Sequence, residues 1–144
     1  MIAVGSDHGG FELKGYIIKH LEQRGIAYKD FGTYSEESVD YPDIAKTVCE
    51  AVTGGACKSG ILICGTGIGI SIAANKADGI RAALCGDVFS AKMAKQHNNA
   101  NIICMGGRVI GSELACMIVD TWLDEKFEGG RHQNRLDKIS ALEN

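Results

Sequence analysis

Short apolar runs recur along the chain, each closed by glycine or polar residues and followed by a longer stretch whose apolar positions return every three or four residues. That alternation predicts strand followed by amphipathic helix. IAVGS near residues 2–6 predicts a first strand. Phe11, Leu13, Tyr16, Ile17, Ile18 and Leu21 then supply the buried face of a helix ending near Gly25. AYKDFG at 27–32 predicts a second, more polar strand at a sheet edge. The loop GTYSEESVDYPD follows, read as a lid or a subunit contact, and Pro42 fits the first turn of a helix running to about Thr53. GILIC at 60–64 is apolar enough for a strand covered on both faces, with a helix from about Ile68 to Lys76 after it. IRAALC at 80–85 and NIICMG at 101–106 predict strands four and five. Asp87 is placed to cap a helix reaching about Gln96, and Ser112 to cap another through Trp122.

Five strands joined by helices favour right-handed parallel crossovers. The predicted fold is therefore α/β: a three-layer α/β/α sandwich around a Rossmann-like, five-stranded parallel sheet. The last piece, EGGRHQNRLDKISALEN, follows a Gly-Gly joint, and the segment 129–144 is expected to contact a partner subunit.

Composition narrows the function. A chain of 144 residues, 45% hydrophobic, is the size of one domain spanning 1–144. A net charge of −3 argues against a general nucleic-acid or anionic-membrane binder, so any anion site must be local. Cysteines at 49, 57, 64, 85, 104 and 116 form no CxxC pair, which reads as reduced thiols in a cytoplasmic protein. The N-terminal MIAVGSDHGG is unlike a signal peptide, and the uncharged run 59–75 is broken by glycines and reads as interior rather than membrane-spanning.

Parallel α/β sheets bind ligands at the carboxyl ends of their strands. There the sequence sets Asp7 and His8 after strand one, Cys64 with Gly65, Gly67 and Gly69 after strand three, and Gly106-Gly107-Arg108 after strand five. Each has a plainer reading: Asp7 as a helix cap, His8 as a first-turn surface residue, Cys64 as one of several small buried thiols. The glycines separate Cys64 from Cys85 and Cys104. Backbone free of Cβ atoms can approach a ligand closely, and N–H groups at a helix start favour negative charge, including a thiolate.

The spacing of the glycine loop excludes familiar alternatives. No lysine lies in 65–71, so a P-loop fails. A cysteine-phosphatase loop would carry arginine where Ile70 stands, and GxGxG is not the dinucleotide GxGxxG. Asp87 lies near the spacing of a ribose-binding acid and keeps a nucleotide reading open, although capping accounts for it. Arg131 and Arg135, four apart, share a helix face suited to phosphate, or form a solvated basic face; Arg108 adds to the first reading. His97 and Asn98 precede strand five, whereas Cys64 follows strand three, which puts them at opposite ends of a parallel sheet. If both ends act on one substrate, His97 and Asn98 must enter the site from a partner subunit.

SDHGG at 6–10, DYPD at 40–43, ICGTGIGISIAANK at 63–76, GIRAA at 79–83, HNNAN at 97–101 and EGGRHQNR at 128–135 together resemble ribose-5-phosphate isomerase type B, in the family that also holds the galactose-6-phosphate isomerase subunits. The resemblance runs in order over nearly the whole chain. It implies an aldose–ketose isomerase of the pentose phosphate pathway, without cofactor or metal, interconverting D-ribose 5-phosphate and D-ribulose 5-phosphate as a homodimer or dimer of dimers with shared sites. By resemblance Cys64 is the base moving the proton between C1 and C2, and Thr66 assists proton movement at O1 and O2. Gly65, Gly67, Ile68 and Gly69 belong to the loop that stabilises the enediolate. His97 opens the sugar ring, and Asn98, Asp7 and His8 contact the substrate. Arg108, Arg131 and Arg135 hold phosphate, with His8 as a helper. Two other readings stay open: a phosphosugar- or nucleotide-binding module without chemistry, and an isomerase preferring a hexose 6-phosphate such as galactose or allose 6-phosphate.

Overall fold

The computed structural model describes residues 1–144. Its strands are β1 (Ile2–Ser6), β2 (Tyr28–Asp30), β3 (Ser59–Cys64), β4 (Ala82–Leu84) and β5 (Ile102–Gly106), all parallel, in the order β2-β1-β3-β5-β4. The helices are α1 (Phe11–Gln23), α2 (Tyr41–Thr53), α3 (Ile68–Ala74), α4 (Val88–Gln96), α5 (Ser112–Asp124) and α6 (Arg131–Ser140). The expected three-layer sandwich is present. Every residue of β1, β3 and β5 is buried, as their near-continuous apolar runs require, while the more polar β2 lies at one edge.

Side chains along β3 alternate between two cores. Ile61 and Ile63 face α1, α4 and α5 with Ile17, Met105 and Trp122, whereas Leu62 and Cys64 face α2 and α3 with Val48, Cys49 and Ile70. The chain leaving β1 enters α1 on the first face, that leaving β3 enters α3 on the second, and that leaving β5 enters α5 on the first again. The carboxyl end of β3 therefore lies between two crevices where connections diverge, the position at which such sheets take ligands.

Local signals behaved unevenly. Asp87 caps α4 by accepting from the Ser90 N–H at 2.7 Å, and Pro42 sits in the first turn of α2. Ser112 is not a cap: Gly111 holds that place in extended backbone, and Ser112 is already the first helical residue. Strand four takes only Ala82–Leu84 of the apolar run 80–85, and its outer edge is closed at Ala82, whose N–H donates to the Asn75 side-chain oxygen at 2.8 Å and whose carbonyl accepts from the Asn75 Nδ2 at 2.9 Å. The C-terminal segment folds onto its own chain. Leu136 is buried, and the Glu143 carboxylate accepts from the Gly79 N–H at 3.0 Å, leaving the outer face of α6 to solvent.

Candidate active site

Three strand-end turns meet at the carboxyl rim of the sheet, and they meet as bare backbone. Asp7 N–H donates to the Ile63 carbonyl at 3.1 Å, Gly107 N–H to that of Cys64 at 2.8 Å, and Arg108 N–H to that of Gly65 at 3.0 Å. A Cβ on Gly107 would lie 2.6 Å from the Gly9 carbonyl oxygen, so the turns after β1 and β5 touch only because glycine stands there. Asp7 caps the 3-10 turn His8–Gly10 by accepting from the Gly10 N–H at 3.1 Å, so its capping role is realised inside the cluster.

The loop after β3 is organised around the thiol. Gly67 has φ +83°, a left-handed conformation that ordinary side chains resist, and is the N-cap of α3. That geometry points its N–H at the Cys64 Sγ, 3.1 Å away. The Ile68 N–H donates to Thr66 Oγ1 at 3.2 Å. Two loop amides are thus used within the loop, orienting the sulfur and the hydroxyl, while Gly69 in the first helical turn has no acceptor four residues back inside the helix. Other thiols are differently placed: burial pushes Cys49 and Cys85 up to about 11 and holds Cys104 well above the ordinary thiol value. They are small core residues. Cys64, 4% exposed, has a backbone donor aimed at its sulfur.

On the β1 side, the His8 Nδ1 accepts from the Val39 N–H at 3.2 Å, which leaves the neutral ring's proton on Nε2. Residues 38–43 enclose a cavity of about 460 Å³ with Asp7 and His8. The loop that supplies them is anchored by Lys14, 2% exposed, whose Nζ donates to Asp30 Oδ1 at 2.6 Å and to the Thr33 carbonyl at 2.5 Å. Tyr41 closes the opposite wall: a Cβ on Gly69 would be 2.5 Å from its ring. On the β5 side the Arg108 guanidinium overlies Gly65, with Nη1 3.4 Å from where a Cβ would be.

The remaining expected residues lie elsewhere in the chain. β3 and β5 pair from Gly60–Ile102 to Cys64–Gly106, so the rim bearing Cys64 is about 13 Å from the end where His97 and Asn98 precede β5, at ~3.3 Å per residue. Arg131 and Arg135 project from α6 at that far end, exposed and unpaired. His97 and His132 stack there, ring centroids 4.1 Å apart and planes 13° from parallel, with Glu128 Oε1 3.5 Å from one Nε2 and 3.4 Å from the other. These three side chains are close enough to share a metal ion. Stacked rings, however, direct their in-plane lone pairs along nearly parallel lines, whereas a shared ion requires them to converge. A cavity of about 570 Å³ adjoins this end, lined by Arg81, Ala83, Asn98, Leu136 and Ile139.

The single chain thus places the expected residues in two separate groups. One holds Asp7, His8, Cys64, Thr66, Gly65, Gly67, Ile68, Gly69 and Arg108; the other holds His97, Asn98, Arg131 and Arg135. Sequence reasoning passed over Lys14, Tyr41, Glu128 and His132. Lys14 had a signal, since it occupies the α1 stripe shared with Ile17, Ile18 and Leu21, where a lysine implies a buried partner. The other three had none beyond their motifs.

Comparison with known proteins agrees across the chain. Residues 2–139 match the family model described as Ribose/Galactose Isomerase. Ribose-5-phosphate isomerase B of Escherichia coli is 55% identical over 142 residues, covering 99% of this chain and 95% of that protein. D-erythrulose-4-phosphate isomerase of Pectobacterium atrosepticum is 46% identical over 143 residues, covering 99% and 94%. The structure of Clostridium thermocellum ribose-5-phosphate isomerase B superposes with a TM-score of 0.97 at 55% identity, covering 98% of this chain and 95% of that one.

Proposed function

This chain belongs to the ribose/galactose isomerase family, and within it we propose that it interconverts D-ribose 5-phosphate and D-ribulose 5-phosphate through an enediolate, with Cys64 as the base and no metal. The observation that carries the proposal is the Gly67 N–H held on the Cys64 sulfur at the crevice where ligands bind such sheets. Isomerisation removes a weakly acidic proton beside a carbonyl. It needs a positioned base and donors for the oxyanion that develops.

Cys64 takes the proton from C2 of the open aldose and returns it to C1. Thr66, its hydroxyl oriented by Ile68, passes the hydroxyl proton between O2 and O1. Gly65 and Gly69 supply loop amides, and Arg108 faces the developing charge or the phosphate from above Gly65. Asp7 and the Nε2–H of His8 bind substrate oxygens. Phosphate far from the reacting carbons supplies binding energy that aligns them.

His97, Asn98, Arg131 and Arg135 complete the site from a second copy of the chain, because one copy holds them at the far end of its sheet. The exposed apolar side chains around the Cys64 rim, Ile68, Ile72, Leu84, Phe89 and Val109, are the surface on which that copy rests. The chain then works as a homodimer or a dimer of dimers, in the cytoplasm. No helix is long and apolar enough to cross a membrane.

Purified protein incubated with ribose 5-phosphate in D₂O should form ketose and take up deuterium at the exchanged carbon, read by NMR. Folded protein giving neither rejects the assignment; parallel reactions with galactose and allose 6-phosphates rank the hexoses. Cys64→Ala should abolish turnover while sugar phosphate still binds. Mixing Cys64→Ala chains with His97→Asn chains should restore about a quarter of the parental sites, since random two-fold pairing makes half the dimers hybrid, each with one intact site. No recovery after subunit exchange rejects the shared site.

A further inference from the structure

His97 is one ring of a pair, and its companion has no assigned task. His132, in the first turn of α6, is buried and lies flat against His97, ring centroids 4.1 Å apart. His97 is far more open, with 38% of its side chain exposed against 8% for His132. Both Nε2 atoms face the same carboxylate oxygen of Glu128, at 3.5 and 3.4 Å. The frame around them is tied together. Glu128 N–H donates to the Gln96 carbonyl at 3.0 Å, and Gln96 Nε2 donates to Glu125 at 2.7 Å, stitching the start of the C-terminal segment to the end of α4.

We propose that His132 is the positioning residue for His97: it backs the His97 ring and, with the shared Glu128 carboxylate, holds that ring facing solvent in one orientation. This rests on the reading of His97 as the group that opens the sugar ring. The two flat rings share one contact face, and one carboxylate oxygen stands within 3.5 Å of both Nε2 atoms, so one ring cannot turn without disturbing the other. The two rings differ in access. His132 is buried in the first turn of α6 beside Arg131, whereas the His97 side chain stays open to solvent, so His132 supports the ring and His97 presents it. Burial, then His97, then Arg131 lower the proton affinity of His132, with Arg135 adding to this and Glu128 opposing it.

In the step served, the C1–O4 bond of the furanose breaks, O4 takes the proton from His97, and the O1 hydroxyl gives its proton to water, leaving the C1 aldehyde. Ribose 5-phosphate needs this step. Ribulose 5-phosphate and erythrose 4-phosphate do not, because the hydroxyl that would close a five-membered ring carries the phosphate. The three sugars therefore separate ring opening from proton transfer at carbon.

The test compares His132→Leu, which removes the stack, and His132→Phe, which restores a flat ring without nitrogen, in the full-length protein. Kinetics on ribose 5-phosphate and erythrose 4-phosphate are measured beside deuterium uptake from ribulose 5-phosphate. His132→Leu should lower kcat/KM for ribose 5-phosphate about ten- to a hundredfold, the scale of a misplaced acid, while the two open-chain sugars stay near parental rates. His132→Phe should recover most of that loss. Glu128→Gln should also lower kcat/KM for ribose 5-phosphate while leaving erythrose 4-phosphate near its parental rate. Equal losses on all three sugars, or none on ribose 5-phosphate, overturn the role of His132. A His97→Asn enzyme that slows all three sugars alike overturns the ring-opening reading of His97 instead, and with it the premise.

Discussion

Replacing Gly67 by alanine should damage stability and catalysis together, and the structure sets the scale. The residue has φ +83°, where a Cβ costs about 1–2 kcal/mol. The added carbon would also lie 2.5 Å from Leu84 Cδ1, a flexible end that can swing away, but 2.8 and 2.9 Å from the Met105 carbonyl carbon and oxygen, which are backbone of β5 and cannot. Overpacking of that kind costs about 1–3 kcal/mol, so the total is about 2–5 kcal/mol. The loop can escape only by moving away from β5, which withdraws the Gly67 N–H from the Cys64 sulfur. Urea unfolding followed by circular dichroism measures the first effect, and kcat on ribose 5-phosphate the second. Gly15→Ala is the control. Gly15 lies within α1 with nothing within 4 Å of a built Cβ, so alanine there should stabilise by about 0.5–1 kcal/mol and leave kcat unchanged. A Gly67→Ala protein as stable and active as the parent would refute the reasoning, as would two variants with equal losses.

Three further outcomes follow from the same geometry. Lys14→Met removes an ammonium that holds Asp30 and the Thr33 carbonyl, and should cost about 2–3 kcal/mol in urea unfolding while speeding hydrogen exchange at the Val39 amide, whose acceptor is His8. In native protein at pH 8, Cys49, Cys85 and Cys104 should resist iodoacetamide, since burial holds their thiols protonated; mass spectrometry of peptides after brief labelling checks this. The proton affinity of buried His132 is lowered in the folded state, so the unfolded chain binds more protons near pH 6. The resulting stability is present above the ordinary imidazole value of about 6.5 and declines as pH falls through it, and the urea midpoint measured from pH 7.5 to 5 should decline less in His132→Phe.

Much of this protein is legible in its order of residues. Apolar runs of strand length followed by helical periodicity specify five βα passages, because each strand buried on both faces must be apolar throughout and each covering helix apolar on one stripe. Glycine pairs beside Asp7 and Arg108, and the GxGxG after Cys64, mark the strand-end turns. The parallel direction of the sheet then separates His97 from Cys64, since a residue preceding one parallel strand cannot reach the far end of its neighbour.

Other features depend on contacts between residues distant in sequence, which no local pattern records. The order β2-β1-β3-β5-β4 puts β5 beside β3, and only that adjacency brings the backbone of 106–108 against 64–66. The left-handed Gly67 aims its N–H at sulfur only because α3 starts where β5 leaves no room for a side chain. Lys14 finds Asp30 through the pairing of β1 with β2, and His132 finds His97 through the return of the C-terminal segment to the end of α4. Sequence determined which chemical groups this chain possesses and at which end of the sheet each lies. Packing decided which of them touch, because burial rewards close contact whatever the separation along the chain.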